Sequence, residues 1–149
     1  MPSSGPPDLS APQFFIDRDL GTRTFPSVLR AAGIRVVLHD EVFPAIQKVP
    51  DDEWLRYTAA HDLVGISHDS KIRYTSASRD DILRYGARLL ILKGKASHDG
   101  LARNFVLTFA AIERFLQRHE APFIAKVYRH PHDATRAGRV EMWLSGEAE

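Results

Sequence analysis

Acidic side chains stand directly after two apolar segments of this sequence. Asp17 follows the apolar run 14–16, and Asp69 follows the run 63–67 after a single histidine. A third acidic group, 51–53, opens a segment whose composition is helical. A carboxylate at the end of a buried strand needs a partner, because burying an unpaired charge costs free energy. The pattern therefore predicts a functional site at the ends of these segments.

If Asp17, Asp51 and Asp69 share one crevice, their like charges repel one another, and a divalent cation removes that cost. The chain has no cysteine, and ligands that are all oxygen favour Mg²⁺ or Mn²⁺ over zinc. Such an ion activates a water molecule and neutralises charge on phosphoryl oxygens. This is the chemistry of a metal-dependent nuclease or phosphatase. The plainer interpretation is that each acid only caps a helix or turn, and for Asp51 and Asp52 it is the stronger one.

Strand-like and helical segments alternate along the chain. The predicted strands are 13–17, 34–39, 63–67, 88–92 and 122–128, and the predicted helices are 24–32, 51–61, 78–86 and 97–119. The segment 40–50 contains two prolines and is predicted to be a loop. This alternation predicts an α/β fold of three layers, α/β/α, around a mostly parallel central sheet of about five strands.

Ligands of such sheets bind at the carboxyl ends of the strands. Asp17 and Asp69 are expected there, at the ends of the first and third strands. Asp51 opens the helix before the third strand. It is expected at the edge from which the chain re-enters the sheet, so the long preceding loop decides whether it reaches the crevice.

Composition is that of one soluble domain. The 149 residues are 44% hydrophobic and 26% charged with a net charge of +1, and no apolar run approaches the roughly 20 residues that span a bilayer. The absence of cysteine fits a reducing compartment, so a cytoplasmic location is expected. We expect a disordered lead over 1–12, one domain over 13–129, and a polar tail over 130–149 with an edge strand near 140–144.

The order of these elements resembles that of PIN-like domains, specifically the VapC-type ribonuclease relatives. The resemblance is carried by FFIDRDLG, LRAAGIRVVLHDEVF, PDDEWL and VGISHDSKIRY, and it covers roughly residues 13–128. It implies that Asp17, Asp51 and Asp69 are the catalytic, metal-holding acids, with serine replacing the usual threonine two residues before the third. Asp51, Asp52 and Glu53 cannot all face the crevice, since successive helical residues are about 100° apart. The inward packing of the residues that follow favours Asp51, and Asp19 is the nearest candidate for a fourth acid.

The resemblance also implies a function. PIN-like ribonucleases of this type depend on Mg²⁺ or Mn²⁺ and cleave RNA, and many are toxins held by a small protein antitoxin and paired as homodimers. Lys71 and Arg73 follow the third acid and are candidates for binding RNA phosphates, with Tyr74 available to stack on a base. An ordinary solvated loop explains these three residues equally well.

Two other functions remain open at this stage. The DRD of FFIDRDLG also resembles the start of haloacid-dehalogenase-type phosphatases, with Asp17 as a covalent nucleophile and Asp19 as the acid–base. That family requires threonine or valine where Gly21 stands, and a late acidic pair after a fourth strand that here ends in Leu92, Lys93 and Gly94. The second alternative is a non-catalytic PIN-like module that binds RNA or a protein partner.

Overall fold

Residues 11–44, 49–68 and 76–146 are described by a computed structural model of the chain, which gives the backbone but not the side chains of 76–78. The strands are β1 Gln13–Ile16, β2 Arg35–Leu38, β3 Val64–His68, β4 Arg88–Leu92, β5 Phe123–Tyr128 and β6 Arg139–Ser145. The helices are α1 Thr24–Ala31, α2 His39–Val42, α3 Asp51–Ala60, α4 Ser76–Tyr85 and α5 His98–Arg118. A 3₁₀ turn, Arg18–Leu20, follows β1.

The strands form one sheet in the order β2-β1-β3-β4-β5-β6. The first four pairings are parallel, and β6 pairs antiparallel with β5 at the edge. The predicted α/β class and mostly parallel sheet are confirmed. The sheet has six strands rather than about five, because the expected edge strand near 140–144 is present as β6.

Two hydrophobic clusters cover the two faces of the sheet. Phe14 and Ile16 point to the face covered by α1 and α5, where the Phe14 and Phe105 rings meet edge to face at 5.3 Å. Phe15 points to the other face and stacks on Trp54 of α3, with ring centroids 5.6 Å apart. Successive strand residues point to opposite faces, and a strand covered on both sides is therefore apolar at every position. This explains the uninterrupted FFI of β1.

The long helix α5 contributes a stripe of apolar side chains to the core. Phe105 and Ile112 of α5 are fully buried, and Phe109 and Leu116 pack against the same cluster. Ser97 caps this helix by accepting the N–H of Gly100 at 3.0 Å. None of the helices in the described residues is both long and apolar enough to cross a membrane.

One local expectation is wrong in part. The segment expected to be a loop after β2 starts with the short helix α2, and the Glu41 carboxylate of this helix accepts the N–H of the N-cap residue Leu38 at 2.8 Å. The polar segment after β5 contains a local turn, in which His130 Nδ1 accepts the backbone N–H groups of His132 at 3.2 Å and Asp133 at 3.0 Å.

Candidate active site

Asp17 is a buried carboxylate at the carboxyl end of β1, with only 2% of its surface exposed. Its backbone N–H donates to Ile66 of β3 at 3.0 Å, so the pairing of the two strands continues to this residue. Its Oδ1 accepts the N–H of Arg18 at 2.7 Å, and its Oδ2 accepts the hydroxyl of Ser67 at 2.9 Å. The carboxylate is thus oriented from two neighbouring strands, in the central part of the sheet.

The alternation of side chains places this carboxylate on the face of the sheet that carries α3. Phe15 and Gly65 both lie against Trp54 of α3. Asp17 and Ser67 are each two residues further along the same strands and therefore point to the same side. The hydrogen bond between them agrees with this placement.

Asp51 lies at the same edge and on the same face. β2 and β3, the strands before and after α3, are parallel. The chain leaves β2 at its carboxyl end and enters β3 at its amino end, so α3 runs antiparallel to both strands and starts at their carboxyl ends. The last turn of α3 leads into β3, and the backbone N–H of Leu63 donates to the carbonyl of Thr58 at 2.9 Å. The expectation that Asp51 lies at the edge where the chain re-enters the sheet is therefore wrong. Its Oδ1 accepts the indole N–H of Trp54 at 2.9 Å, so one oxygen of this carboxylate helps to hold the first turn of α3 in place.

The other acids of that first turn differ in exposure. Asp52 is exposed and Glu53 is half-buried. Trp54 and Leu55 are buried against the sheet, as the choice of Asp51 assumed. The register that favoured Asp51 over its neighbours is therefore present.

Asp19 sits in the 3₁₀ turn after β1, and both of its carboxylate oxygens are buried. Its backbone carbonyl accepts Nε2–H of His98 at 3.2 Å, which ties the turn to the start of α5. Asp19 is therefore held at the same end of the sheet as Asp17.

Asp69, the third predicted acid, lies outside the described residues, as do Lys71, Arg73 and Tyr74. The residue before Asp69, His68, ends β3 and its Nε2 donates to the carbonyl of Gly94 at 2.9 Å. Over the described ranges, no three histidine, aspartate or glutamate side chains are grouped so that they could hold a metal ion. The described part of the chain thus contains two acids of the predicted set but not the set as a whole.

Asp40 is an acid at this edge that is not among the predicted site residues. It follows β2, the neighbour of β1, and its Oδ1 accepts Nε–H of Arg18 at 2.9 Å. The Arg18 guanidinium also donates to the carbonyl of Pro44 at 2.6 Å. The signal was present in the sequence, since Asp40 follows the run Val36–Leu38 after one histidine, as Asp69 follows 63–67. The prolines at 44 and 50 instead indicated a loop over this segment.

Acids and a basic side chain lie together at this edge. Asp17 is buried at the end of β1, and the partly exposed Asp40 follows β2, the adjacent strand. The Arg18 guanidinium pairs with Asp40, and the backbone N–H of Arg18 binds Asp17. Hard oxygen ligands at the carboxyl end of a parallel sheet are suited to a divalent cation and a phosphate group.

Comparison with known proteins agrees with this geometry. A family model described as "PIN like domain" matches residues 12–94, which include β1 to β4 and all the predicted acids. The chain is 33% identical over 125 residues to a Mycobacterium tuberculosis protein named "Putative ribonuclease VapC45", a match covering 82% of this chain and 88% of that protein. No solved structure is detectably similar to the chain. The sequence motifs, the sheet order and both matches agree, and the chain belongs to the PIN-like domain family.

Proposed function

We propose that this protein is a metal-dependent endoribonuclease, and that it acts as the toxin of a toxin–antitoxin pair. The observation that carries the proposal is the buried Asp17 carboxylate at the carboxyl end of β1, oriented by Arg18 and Ser67. The ribonuclease name of the mycobacterial relative supports RNA as the substrate. The toxin role and the protein antitoxin follow from the same likeness.

In this proposal Asp17, Asp51 and Asp69 hold Mg²⁺ or Mn²⁺, with Asp19 as a less central fourth acid. Asp40 is added because it lies beside Asp17 at the same edge. When bound, such an ion offsets charge on a phosphodiester and supplies an activated water for in-line attack. The fit is chemical: these are hard oxygen donors, and a buried carboxylate such as Asp17 gains most from a nearby positive charge.

The side chains of the chain have distinct duties in this mechanism. Ser67 donates its hydroxyl proton to Asp17 Oδ2 and thereby fixes the direction of that oxygen. Arg18 binds Asp40 through its guanidinium and Asp17 Oδ1 through its backbone N–H, so it connects the ends of β1 and β2. Trp54 fixes Asp51 through its indole N–H, so the first turn of α3 is held against the sheet. Lys71 and Arg73 remain candidates for contact with RNA phosphates on the approach.

The test is cleavage of a 5′-labelled single-stranded RNA by purified wild-type protein and by Asp17→Asn. We expect cleavage that needs Mg²⁺ or Mn²⁺, stops with a chelator, and falls to background in Asp17→Asn. A matched control is Asp52→Asn, which removes an exposed carboxylate from the same first helical turn. We expect Asp52→Asn to cleave like wild type.

Other outcomes of the same assay select the alternatives. Turnover of a phosphate monoester with a trapped aspartyl-phosphate on Asp17 would point to the phosphatase, although membership of the PIN-like family favours the nuclease. Binding of RNA without cleavage under any divalent metal would point to a non-catalytic module. The oligomeric state proposed from the resemblance, a homodimer, is measured separately by light scattering.

A further inference from the structure

The carboxyl edge of the sheet is divided by charge. The edge runs from β2 through β1, β3 and β4 to β5. Acids follow the first two strands, namely Asp40, Asp17 and Asp19. Basic and histidine side chains follow the last two, namely Lys93, Lys95, Arg129, His130 and His132. Arg18, on the acidic side, is paired with Asp40. A polyanion drawn to the acids by a metal ion would find further basic side chains after β4 and β5.

The basic half of the edge contains a cavity of about 490 Å³ between the segment after β4 and the segment after β5. Lys93, Gly94, Arg129, His130 and His132 are among the residues that line it, and Lys95 flanks it. We name this region, defined by these six residues, the β4–β5 cleft.

The walls of the β4–β5 cleft are held in place by hydrogen bonds. Arg129 Nη2 donates to the carbonyl of Lys95 at 2.9 Å and joins the two walls. Gly94 has φ +97°, and a Cβ at this position would lie 3.3 Å from Arg129 Nε, so glycine permits the close approach. The segment after β5 is tied to α5 by Asn104, which donates to the carbonyl of Tyr128 at 3.3 Å, and by Thr108, which accepts the N–H of Gly138 at 2.9 Å.

Two basic residues of the cleft, Lys95 and Arg129, are not paired with acids among the described residues. One acid, Asp133, also lines the cavity. It accepts the N–H and the hydroxyl of Thr135 at 2.9 and 2.6 Å, and these hydrogen bonds lower the pKa of its carboxyl group, so the cleft contains one carboxylate beside its basic side chains. His130 Nδ1 accepts two backbone N–H groups, so the ring proton is on Nε2, which is a donor.

We propose that the β4–β5 cleft binds the backbone phosphates of the single-stranded RNA substrate, to one side of the bond that is cut. The inference rests on the proposed ribonuclease function. β5 is three strand positions from β1, about 14 Å across the sheet, a span that a few nucleotides cover. Lys95, Arg129, His130 and His132 all lie beyond residue 94, where the match to the family model ends. The cleft would therefore add, beside the acidic crevice, a phosphate-binding region formed mainly by the C-terminal part of this chain.

Binding is measured without cleavage, by fluorescence anisotropy of a labelled single-stranded RNA in EDTA over a range of salt concentrations. The variants are Lys95→Gln and Arg129→Gln, each of which removes one positive charge from the cleft. Arg118→Gln is the matched control, since Arg118 is exposed at the last turn of α5, beside the opposite edge of the sheet. Among the described residues, the side chain of Lys95 forms no hydrogen bond or ion pair, so Lys95→Gln reports on charge even if the Arg129→Gln change disturbs the loop.

We expect each cleft variant to weaken binding several-fold at low salt and to reduce the slope of log K against log salt by about 0.7, the value for one phosphate contact on a single strand. Arg118→Gln should leave both quantities close to wild type. Equal effects of Lys95→Gln and Arg118→Gln would overturn the proposal, because they would indicate general attraction. No measurable RNA binding by wild type at low salt would also overturn it, and would leave an acidic protein as the ligand to examine.

This result is separable from that of the cleavage assay. If the cleft variants bind RNA like wild type while Asp17→Asn still abolishes cleavage, the cleft proposal fails and the ribonuclease function stands. If the cleft variants bind weakly but wild type never cleaves, RNA binding by the cleft stands and the enzymatic function fails.

Discussion

Asp17 is the residue on which the proposed chemistry depends, and Ser67 is the residue that orients it. The hydroxyl of Ser67 reaches Asp17 Oδ2 at 2.9 Å from the neighbouring strand, and both side chains are buried. A donor that fixes one oxygen of a metal-binding carboxylate governs the direction of its other lone pairs. The position of this serine, two residues before Asp69, is where the PIN-like resemblance has threonine, and either hydroxyl can serve.

Ser67→Ala tests this role. We expect an affinity for Mn²⁺ or activity about 10- to 100-fold lower, as is typical when a partner of a metal-binding side chain is removed. The free energy of unfolding should fall by about 1 kcal/mol, the usual cost of one lost hydrogen bond. Thr58→Val is the control, because it removes another buried hydroxyl, bonded to Leu55 at 2.7 Å in the middle of α3. Similar loss of metal affinity in both variants would contradict the role of Ser67.

Residue patterns alone predicted some acids of the site better than others. Asp17 was recognisable because three apolar residues precede it, and the strand pairing places it as expected. The burial of Trp54 and Leu55 agrees with the register from which Asp51 was chosen, and its role in the site stays a prediction. Its hydrogen bond to Trp54 was not visible in the sequence because it depends on the rotamers of both side chains. Asp40 was passed over because two nearby prolines indicated a loop, whereas the loop begins only after α2.

At the scale of elements, the position of α3 decides whether its first turn meets β1. Trp54 lies between α3 and the sheet, stacked on Phe15 and directly over Gly65 of β3. A Cβ on Gly65 would be 3.2 Å from Trp54 Cζ3 and 3.2 Å from Leu89 Cδ1, tighter than ordinary contact. Glycine at this position therefore allows the close approach of helix and sheet.

Gly65→Ala should destabilise the protein because the extra methyl group forces Trp54 or Leu89 to move. The expected loss is about 1–3 kcal/mol in the free energy of unfolding, as for other overpacked cores. Urea denaturation followed by tryptophan fluorescence measures it, with an unchanged denaturant slope indicating that the fold itself is kept. A variant as stable as wild type would mean that α3 is not packed this closely.

The elements themselves were largely predictable, and the exceptions have physical causes. The alternation of apolar runs and amphipathic segments determines the parallel sheet, because each run is too apolar for a surface strand. The four-residue helix α2 escaped prediction because so short a helix has no periodicity to detect. The order of the segment around His130 was also missed, since it depends on hydrogen bonds to α5 rather than on local composition.

At the scale of the whole molecule, metal binding should stabilise the folded state if the acids share one ion. A ligand that binds only the folded protein adds about 2.7 kcal/mol at a concentration 100 times its Kd. We therefore expect Mn²⁺ to raise the thermal midpoint of wild type by several degrees and to leave that of Asp17→Asn unchanged. Adding EDTA should return the thermal midpoint of wild type to its metal-free value. A midpoint that rises equally in both proteins would place the bound ion away from Asp17.

The division of charge along the carboxyl edge would set the orientation of bound RNA. Acids follow β2 and β1, and the β4–β5 cleft follows β4 and β5, so RNA would lie across the sheet from one half to the other. The sequence did not reveal this arrangement, because the basic residues are spread from Lys93 to His132. Only the parallel pairing of β4 with β5 brings them to one edge.

The most direct test of the account is a crystal of the protein grown with Mn²⁺ and examined by anomalous scattering. We expect one strong peak at about 2.0–2.2 Å from a carboxylate oxygen of Asp17, with Asp69 as a second ligand from the adjoining strand. A peak bound elsewhere, or side chains of Asp17 and Asp69 on opposite faces of the sheet, would contradict the central claim that acids distant in sequence meet on one ion.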